Sequence, residues 1–371
     1  PRWIAAAVHG LGGTPEDLSY LKKSLQRKSG NGGVLVHLAR SNKGKTKDGV
    51  AEGGSRLADE IRQVVKSNPS LTRISLVGNS LGGLYVRYAA RLLYRAHDDG
   101  VSCPGGTVAG LQPSVFMTIA SPHLGVRKFT YVPVPSTLQT LAGELVGRTG
   151  SDLFMKSSTT SDGTASPGTV ENDDSDGGSS GRSSLLYDMA TTEEYLTPLK
   201  AFRCRRAYAN RRGDFMVPYG TAAFVGPDEG DDRNPVGADG LSTFDRVWGA
   251  REGAIVGLSR VPAASILAVT RGDQVGEGNG RQKSATRFGR RTGSKKVNIT
   301  SAEEEMAVAL NSCGWEKVSV DFGGVIPSAH NKICALSRSP LTTALFSSGN
   351  KIMDNAAEVL VAHDFEDGHS D

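Results

Sequence analysis

Four short apolar runs alternate with three amphipathic stretches over the first 119 residues, and glycine marks the joins. The runs are Trp3 to Val8, Val34 to Leu38, Arg73 to Val77 and Val115 to Ile119. Short apolar runs closed by glycines read as buried parallel strands. Pro15 to Arg27 places Leu18, Leu21 and Leu25 on one helical face, and Asp48 to Ser67 does the same with Leu57, Ile61, Val64 and Val65. Leu84 to Arg95 reads as the third helix. Strand and helix in strict alternation imply right-handed crossovers and a parallel sheet covered on both faces.

One join carries chemistry. Gly78-Asn79-Ser80-Leu81-Gly82-Gly83 matches G-x-S-x-G and stands between the third strand and the third helix. In that context the pattern is a nucleophile elbow, a tight turn that lifts a serine hydroxyl clear of the sheet. Side chains two residues before and after the serine would collide there, which accounts for Gly78 and Gly82. A serine in an ordinary glycine-rich turn is the plainer reading.

A serine nucleophile needs a base and a residue that orients the base. In α/β-hydrolases these follow in the order serine, acid, histidine, each after a strand. Asp214 follows an expected strand at Arg205 to Ala209, and His330 follows one at Lys317 to Phe322. Asp231, Asp232 and Asp245 are weaker acids in a poorly patterned stretch. His37 lies in a strand, and His97, His363 and His369 lie at polar ends. His123, in Ser121-Pro122-His123-Leu124-Gly125, precedes Asp214 and breaks the order, so it is expected to be structural or to line the cleft. An oxyanion hole needs two backbone N–H donors. Leu81 supplies one, and Leu11, in His9-Gly10-Leu11-Gly12-Gly13, supplies the other. Gly10 and Gly12 let that loop approach the substrate. His9 is expected to brace the loop or line the cleft. No H-E-x-x-H and no Cys/His cluster points to a metal, and no cofactor is expected.

Further along, residues 126–156 form an expected cap or lid segment. In it Phe129 to Pro135 precedes Leu138, Leu141 and Leu145 on one helical face, opened by Ser136-x-x-Gln139. This fits a lid or acyl-chain wall and equally a core-facing helix. Residues 157–184 are rich in Ser, Thr, Gly and Asp, with Val170 the only large aliphatic, and read as a disordered insertion. Thr191 and Glu194 fit a capping box. Residues 226–298 read as an irregular insertion whose basic tract, 271–298, suits a solvated loop or an anionic membrane surface. Ser301-x-x-Glu304 is a second capping box, and a last helix is expected over Lys351 to Val361. All 371 residues read as one domain.

Composition removes several classes. Net charge is +4, from 43 Lys and Arg against 39 Asp and Glu, which gives no footprint for nucleic acid. No apolar run approaches a membrane span. The four cysteines form no framework and read as buried or free thiols of a reducing, intracellular compartment. The chain opens at Pro1 inside an expected strand, so any targeting segment would lie upstream.

Six motifs stand in order along the chain. They are H-G-L-G-G, R-S-N-K-G-K-T-K-D-G-V at 40–50, G-N-S-L-G-G-L-Y-V-R-Y, T-I-A-S-P-H-L-G at 118–125, Y-A-N-R-R-G-D-F-M-V-P-Y at 208–219 and S-A-H-N-K-I at 328–333. Together they resemble the serine-esterase family of lipase-like α/β-hydrolases from fungi, plants and protists, long filed as a domain of unknown function. The resemblance implies an α/β-hydrolase fold and a Ser80, Asp214, His330 triad acting on carboxylic, lipid-type acyl esters. An acyltransferase or thioesterase would use the same triad. A catalytically idle hydrolase fold acting as a binding module is the reading from another class.

Overall fold

The computed structural model describes residues 1–30, 33–96, 105–127, 147–155, 184–225, 253–263, 301–323 and 328–365. Its main sheet contains β1 (Trp3–Val8), β2 (Val34–Leu38), β3 (Arg73–Asn79), β4 (Gln112–Ile119), β5 (Cys204–Asn210), β6 (Ala254–Val261) and β7 (Trp315–Asp321). They lie in the order β2-β1-β3-β4-β5-β7-β6. Every neighbouring pair is parallel except β6, which runs antiparallel along β7 at the edge. The helices are α1 (Ser19–Ser29), α2 (Val50–Ser67), α3 (Leu81–Leu93), α4 (Arg148–Leu153), α5 (Leu185–Thr191), α6 (Glu193–Lys200), α7 (Tyr219–Ala222), α8 (Ala302–Asn311), α9 (Ala329–Ile333), α10 (Pro340–Leu345) and α11 (Asn350–Phe365).

β1 shows why the sheet is covered on both sides. Trp3, Ala5 and Ala7 join one core with Leu21 and Leu25 of α1 and Ile352, Met353 and Leu360 of α11. Ile4, Ala6 and Val8 join the other with Leu57 and Ile61 of α2 and Leu84 of α3. Period-two alternation splits one strand between two cores. The Trp3 indole donates to Ser75 Oγ at 3.1 Å, which pairs the one polar atom of that side chain inside the sheet.

The expected order of elements holds, with differences at particular joins. The third helix starts at Leu81, directly after Ser80, and ends at Leu93; Tyr94–Arg95 then pairs with Thr107–Val108. Thr191 does not cap a helix. It closes α5, and its hydroxyl donates to Tyr187 O at 2.8 Å, while Ser184 Oγ caps the start of α5. A helix beginning right beside a low-complexity run leaves no periodic signal ahead of its cap. Ser301 and Glu304 do form the expected capping box on α8. Inside the stretch expected to be irregular, β6 adds an edge strand with Ile255, Val256 and Leu258 exposed. An edge strand held by one neighbour's backbone needs no buried face of its own. The lid helix of 129–145 and the basic tract 271–298 lie outside the described residues, as does 157–183 of the low-complexity insertion. The end of the lid segment is described: Gly49 N–H donates to Thr149 Oγ1 at 3.0 Å, and Val50 N–H to Asp152 Oδ2 at 2.7 Å, fastening α4 to the start of α2. Cys204, Cys313 and Cys334 are buried and free. Among the described residues no helix is long and apolar enough to cross a membrane.

Candidate active site

Parallel strands end on one edge of a sheet, and ligands of open α/β folds bind there. The His9–Gly13 loop follows β1, Ser80 follows β3, Asp214 follows β5 and His330 follows β7. The topology therefore carries all four to that edge.

Ser80 is buried and sits at φ 54°, ψ −127°, a backbone conformation that L side chains avoid. Its N–H donates to Ile119 O at 2.8 Å, and its carbonyl accepts Gly83 N–H at 2.9 Å. The turn is thus tied to β4 on one side and to α3 on the other. Space around it is minimal. A Cβ on Gly82 would lie 2.7 Å from His9 O, and one on Gly78 would strike the Gly82–Gly83 backbone. A Cβ on Gly10 would lie 2.7 Å from Ser80 Cβ and 3.2 Å from Ser80 Oγ. The first loop therefore presses its backbone against the serine side chain.

Within that loop Gly12, at φ 59°, donates its N–H to Thr46 Oγ1 at 3.0 Å, and Gly13 N–H goes to Gly10 O at 3.0 Å. The Leu11 amide stands outside those two bonds. Leu81 is the first residue of α3, where amides have no partner in the preceding turn. His9 Nδ1 meets Gly10 O at 3.0 Å, which requires the proton on Nδ1. Burial holds its pKa below the ordinary value. His9 therefore braces the loop and is buried beneath it.

Asp214 and His330 come together. His330 Nδ1 lies 2.9 Å from Asp214 Oδ2, with both residues buried. Oδ2 also accepts from Asn210 Nδ2 at 2.7 Å, and Oδ1 accepts the amides of Met216 and Val217 at 3.2 and 2.9 Å. These bonds hold the carboxylate in one orientation. Burial opposes a charged imidazole at His330, but the Asp214 charge and hydrogen bond outweigh it, and the pKa lies above the ordinary value. A ring whose Nδ1 donates to a carboxylate presents Nε2 as a proton acceptor, the arrangement a serine hydroxyl requires of a base.

His123 does not line the cleft. It is fully buried, edge-on to Phe224 and Trp315 with ring centres 5.2 and 5.9 Å away. Arg87, which can only donate, points Nη1 at His123 Nδ1 over 3.2 Å, so the proton sits on Nε2 and faces Thr118 Oγ1 at 3.0 Å. Burial first, then Arg87 and Lys317, push its pKa well down. Sequence patterning misses two supporting residues, Asn210 and Thr46. Both lie inside motifs quoted above, but only the fold shows that one steadies Asp214 and the other anchors Gly12. Among the described residues no three His, Cys, Asp or Glu side chains are grouped as metal ligands.

A mostly parallel sheet with a serine elbow after its third strand defines an α/β-hydrolase. The family model described as Putative serine esterase (DUF676) matches residues 4–225, and the chain belongs to that family. The match includes Ser80 and Asp214 and ends before His330. The chain is 28% identical over 233 residues to a Saccharomyces cerevisiae protein named putative lipase ROG1, covering 62% of this chain and 29% of that one. It is 27% identical over 229 residues to the Schizosaccharomyces pombe protein named putative lipase C4A8.10, covering 59% and 26%. The chain thus spans less than a third of either relative's length. Among solved structures, phospholipase PlaB from Legionella pneumophila in complex with thio-NAD aligns at 13% identity and a TM-score of 0.36, over 67% of this chain and 42% of that one.

Proposed function

We propose that this hydrolase cleaves carboxylic acyl esters, lipid esters among them, with Ser80 as nucleophile, His330 as base and Asp214 as the residue that orients the base. The observation that carries the reading is the 2.9 Å bond between His330 Nδ1 and a carboxylate held by three further donors. Few structural roles need a buried histidine fixed in that tautomer on the same sheet edge as a strained serine turn. The family description and the relatives' names support the same chemistry.

In this reading His330 takes the Ser80 proton as Oγ attacks the ester carbonyl. The carbonyl oxygen becomes an oxyanion and meets the amides of Leu81 and Leu11. Collapse of the intermediate breaks the bond to the alcohol, which leaves with the proton from His330. Water, deprotonated by the same ring, then releases the acid from Ser80. The bracing of Gly12 by Thr46 fixes the loop before substrate arrives, so no reorganisation is needed when charge develops.

The test is a chain-length series of nitrophenyl esters and acylglycerols, with products identified by mass spectrometry. Free acid and alcohol in equal amounts are expected. Transfer of the acyl group to an added alcohol in place of water would identify a transferase. No acid release by folded protein contradicts the proposal.

A further inference from the structure

The loop after β2 carries a group of exposed cations that the proposed triad does not use. Arg40, Lys43, Lys45 and Lys47 are all exposed there, and the neighbouring acid, Asp48, is bound to Arg56 at 2.8 Å. Among the described residues none of the four cationic side chains forms an ion pair. Like charges so close in sequence repel one another, which is a cost without an anion to meet them.

The loop is also held firmly. Asn42 and Thr46 are buried beneath it. Asn42 Nδ2 donates to Gly53 O at 2.9 Å and its Oδ1 accepts from Arg56 Nε at 3.0 Å. Thr46 O accepts from Thr149 Oγ1 at 2.8 Å, and Glu60 accepts the amides of Arg40 and Ser41. Polar anchors thus face inward while the cations face out. Thr46 Oγ1 takes the N–H of Gly12, two residues beyond the Gly10 that presses on Ser80. The loop is therefore bonded directly to one wall of the serine's site. Two of its cations act on the turn after that wall: the pKa of the Glu16 carboxyl is lowered by its own amide and by Thr14, with Lys43 and Arg40 adding to the pull. Glu16 offsets part of the local charge and leaves an excess of cations.

We infer that the basic loop at 40–47 receives the anionic headgroup of the ester that Ser80 attacks, so that the substrates are acyl esters of a phosphorylated alcohol. This rests on the esterase reading above. A neutral ester gains nothing from four cations that no described acid pairs with, on a loop bonded to the proposed oxyanion loop through Thr46. A phosphate oxygen cluster meets ammonium and guanidinium groups with charge-assisted bonds. The bond that breaks is the carboxylic ester. Water supplies the hydroxyl to the acyl carbon and a proton to the leaving alkoxide, and the phosphate stays on the alcohol.

The experiment compares kcat/KM of the whole chain for hexanoylglycerol and hexanoylglycerophosphate, both kept monomeric, at low and high salt. The phosphorylated ester is expected to be preferred about tenfold or more at low salt, equivalent to about 1.4 kcal/mol. The preference should shrink at high salt as screening shortens to a few ångströms. The triple variant Lys43→Gln, Lys45→Gln, Lys47→Gln should move the ratio toward one. A third arm adds anionic vesicles to the neutral ester. Stimulation there that equals the phosphate preference would assign the charge to a membrane surface and overturn the inference. So would equal kcat/KM for the two esters in the wild type, or a ratio that the triple variant leaves in place. Either result leaves the esterase reading standing. Folded protein that hydrolyses neither ester would remove both readings.

Discussion

At the scale of single residues the site is built from a backbone held where it would not otherwise rest. A non-glycine residue in Ser80's conformation costs on the order of 1–3 kcal/mol, which the Ile119 and Gly83 hydrogen bonds help to offset. Gly10 is the tightest neighbour. Gly10→Ala would place a methyl group 2.7 Å from Ser80 Cβ, so loop and serine must part. A displacement of about 1 Å at a reacting group costs roughly 10²-fold in turnover. The expected outcome is that loss in kcat on a small soluble ester with the circular dichroism spectrum unchanged; full activity would mean the loop does not contact the nucleophile. With His330 as the proposed base, its titration sets the pH dependence. A protonated ring cannot take the serine's proton, so activity is lost as pH falls through its pKa. Asp214 raises that pKa against the effect of burial, so the midpoint of kcat/KM should lie above about 6.5. Asp214→Asn removes the charge that raises it. The midpoint should then move down while the rate falls on the order of 10²–10⁴-fold. A midpoint unmoved by Asp214→Asn would separate Asp214 from the titrating group.

Among elements, the joins decide how much can be read in advance. Capping at Ser301 is local chemistry: its side chain accepts from Glu304 N, while the Glu304 carboxylate returns to Ser301 N at 3.2 Å. Ser301→Ala should lower stability by about 1 kcal/mol in denaturant melts and leave ester turnover unchanged. A loss in turnover without a loss in stability would contradict a purely structural cap. Such a box is legible because both partners lie within one turn. The elbow is legible for the same reason, since strand, glycines and helix adjoin in sequence. Asp214 and His330 follow from chain order after recognisable strands, and they are the two side chains the fold brings within hydrogen-bonding distance. The remainder is non-local. His123 reads as either structural or cleft-lining because nothing between Pro122 and Leu124 indicates that Arg87, Phe224 and Trp315 enclose it. β6 escapes notice because its order comes from β7, far along the chain, and its outward side chains stay exposed. Thr46 looks like any loop threonine until Gly12 is found against it.

Across the whole molecule, two cores on opposite faces of one sheet hold the site's edge rigid, and distant segments close them. Asp354 of α11 receives Tyr20 Oη at 3.1 Å and pairs with Arg27 at 2.7 Å, fastening the last helix to the first. The residues that form these cores, the elbow and the Asp214–His330 pair, as named above, all lie outside 158–181 in the sequence. That segment holds one large aliphatic residue, Val170, and no aromatic. Deleting it should leave hydrolysis of a small soluble ester within a few-fold. A loss of several orders of magnitude would show that it supports the catalytic edge. Covalent labelling with a fluorophosphonate probe and mass-spectrometric mapping of the labelled residue decides whether Ser80 is the nucleophile. One labelled residue, Ser80, is expected, with no labelling of Ser80→Ala; labelling that persists in Ser80→Ala, or that maps to another serine, would rule Ser80 out as the nucleophile.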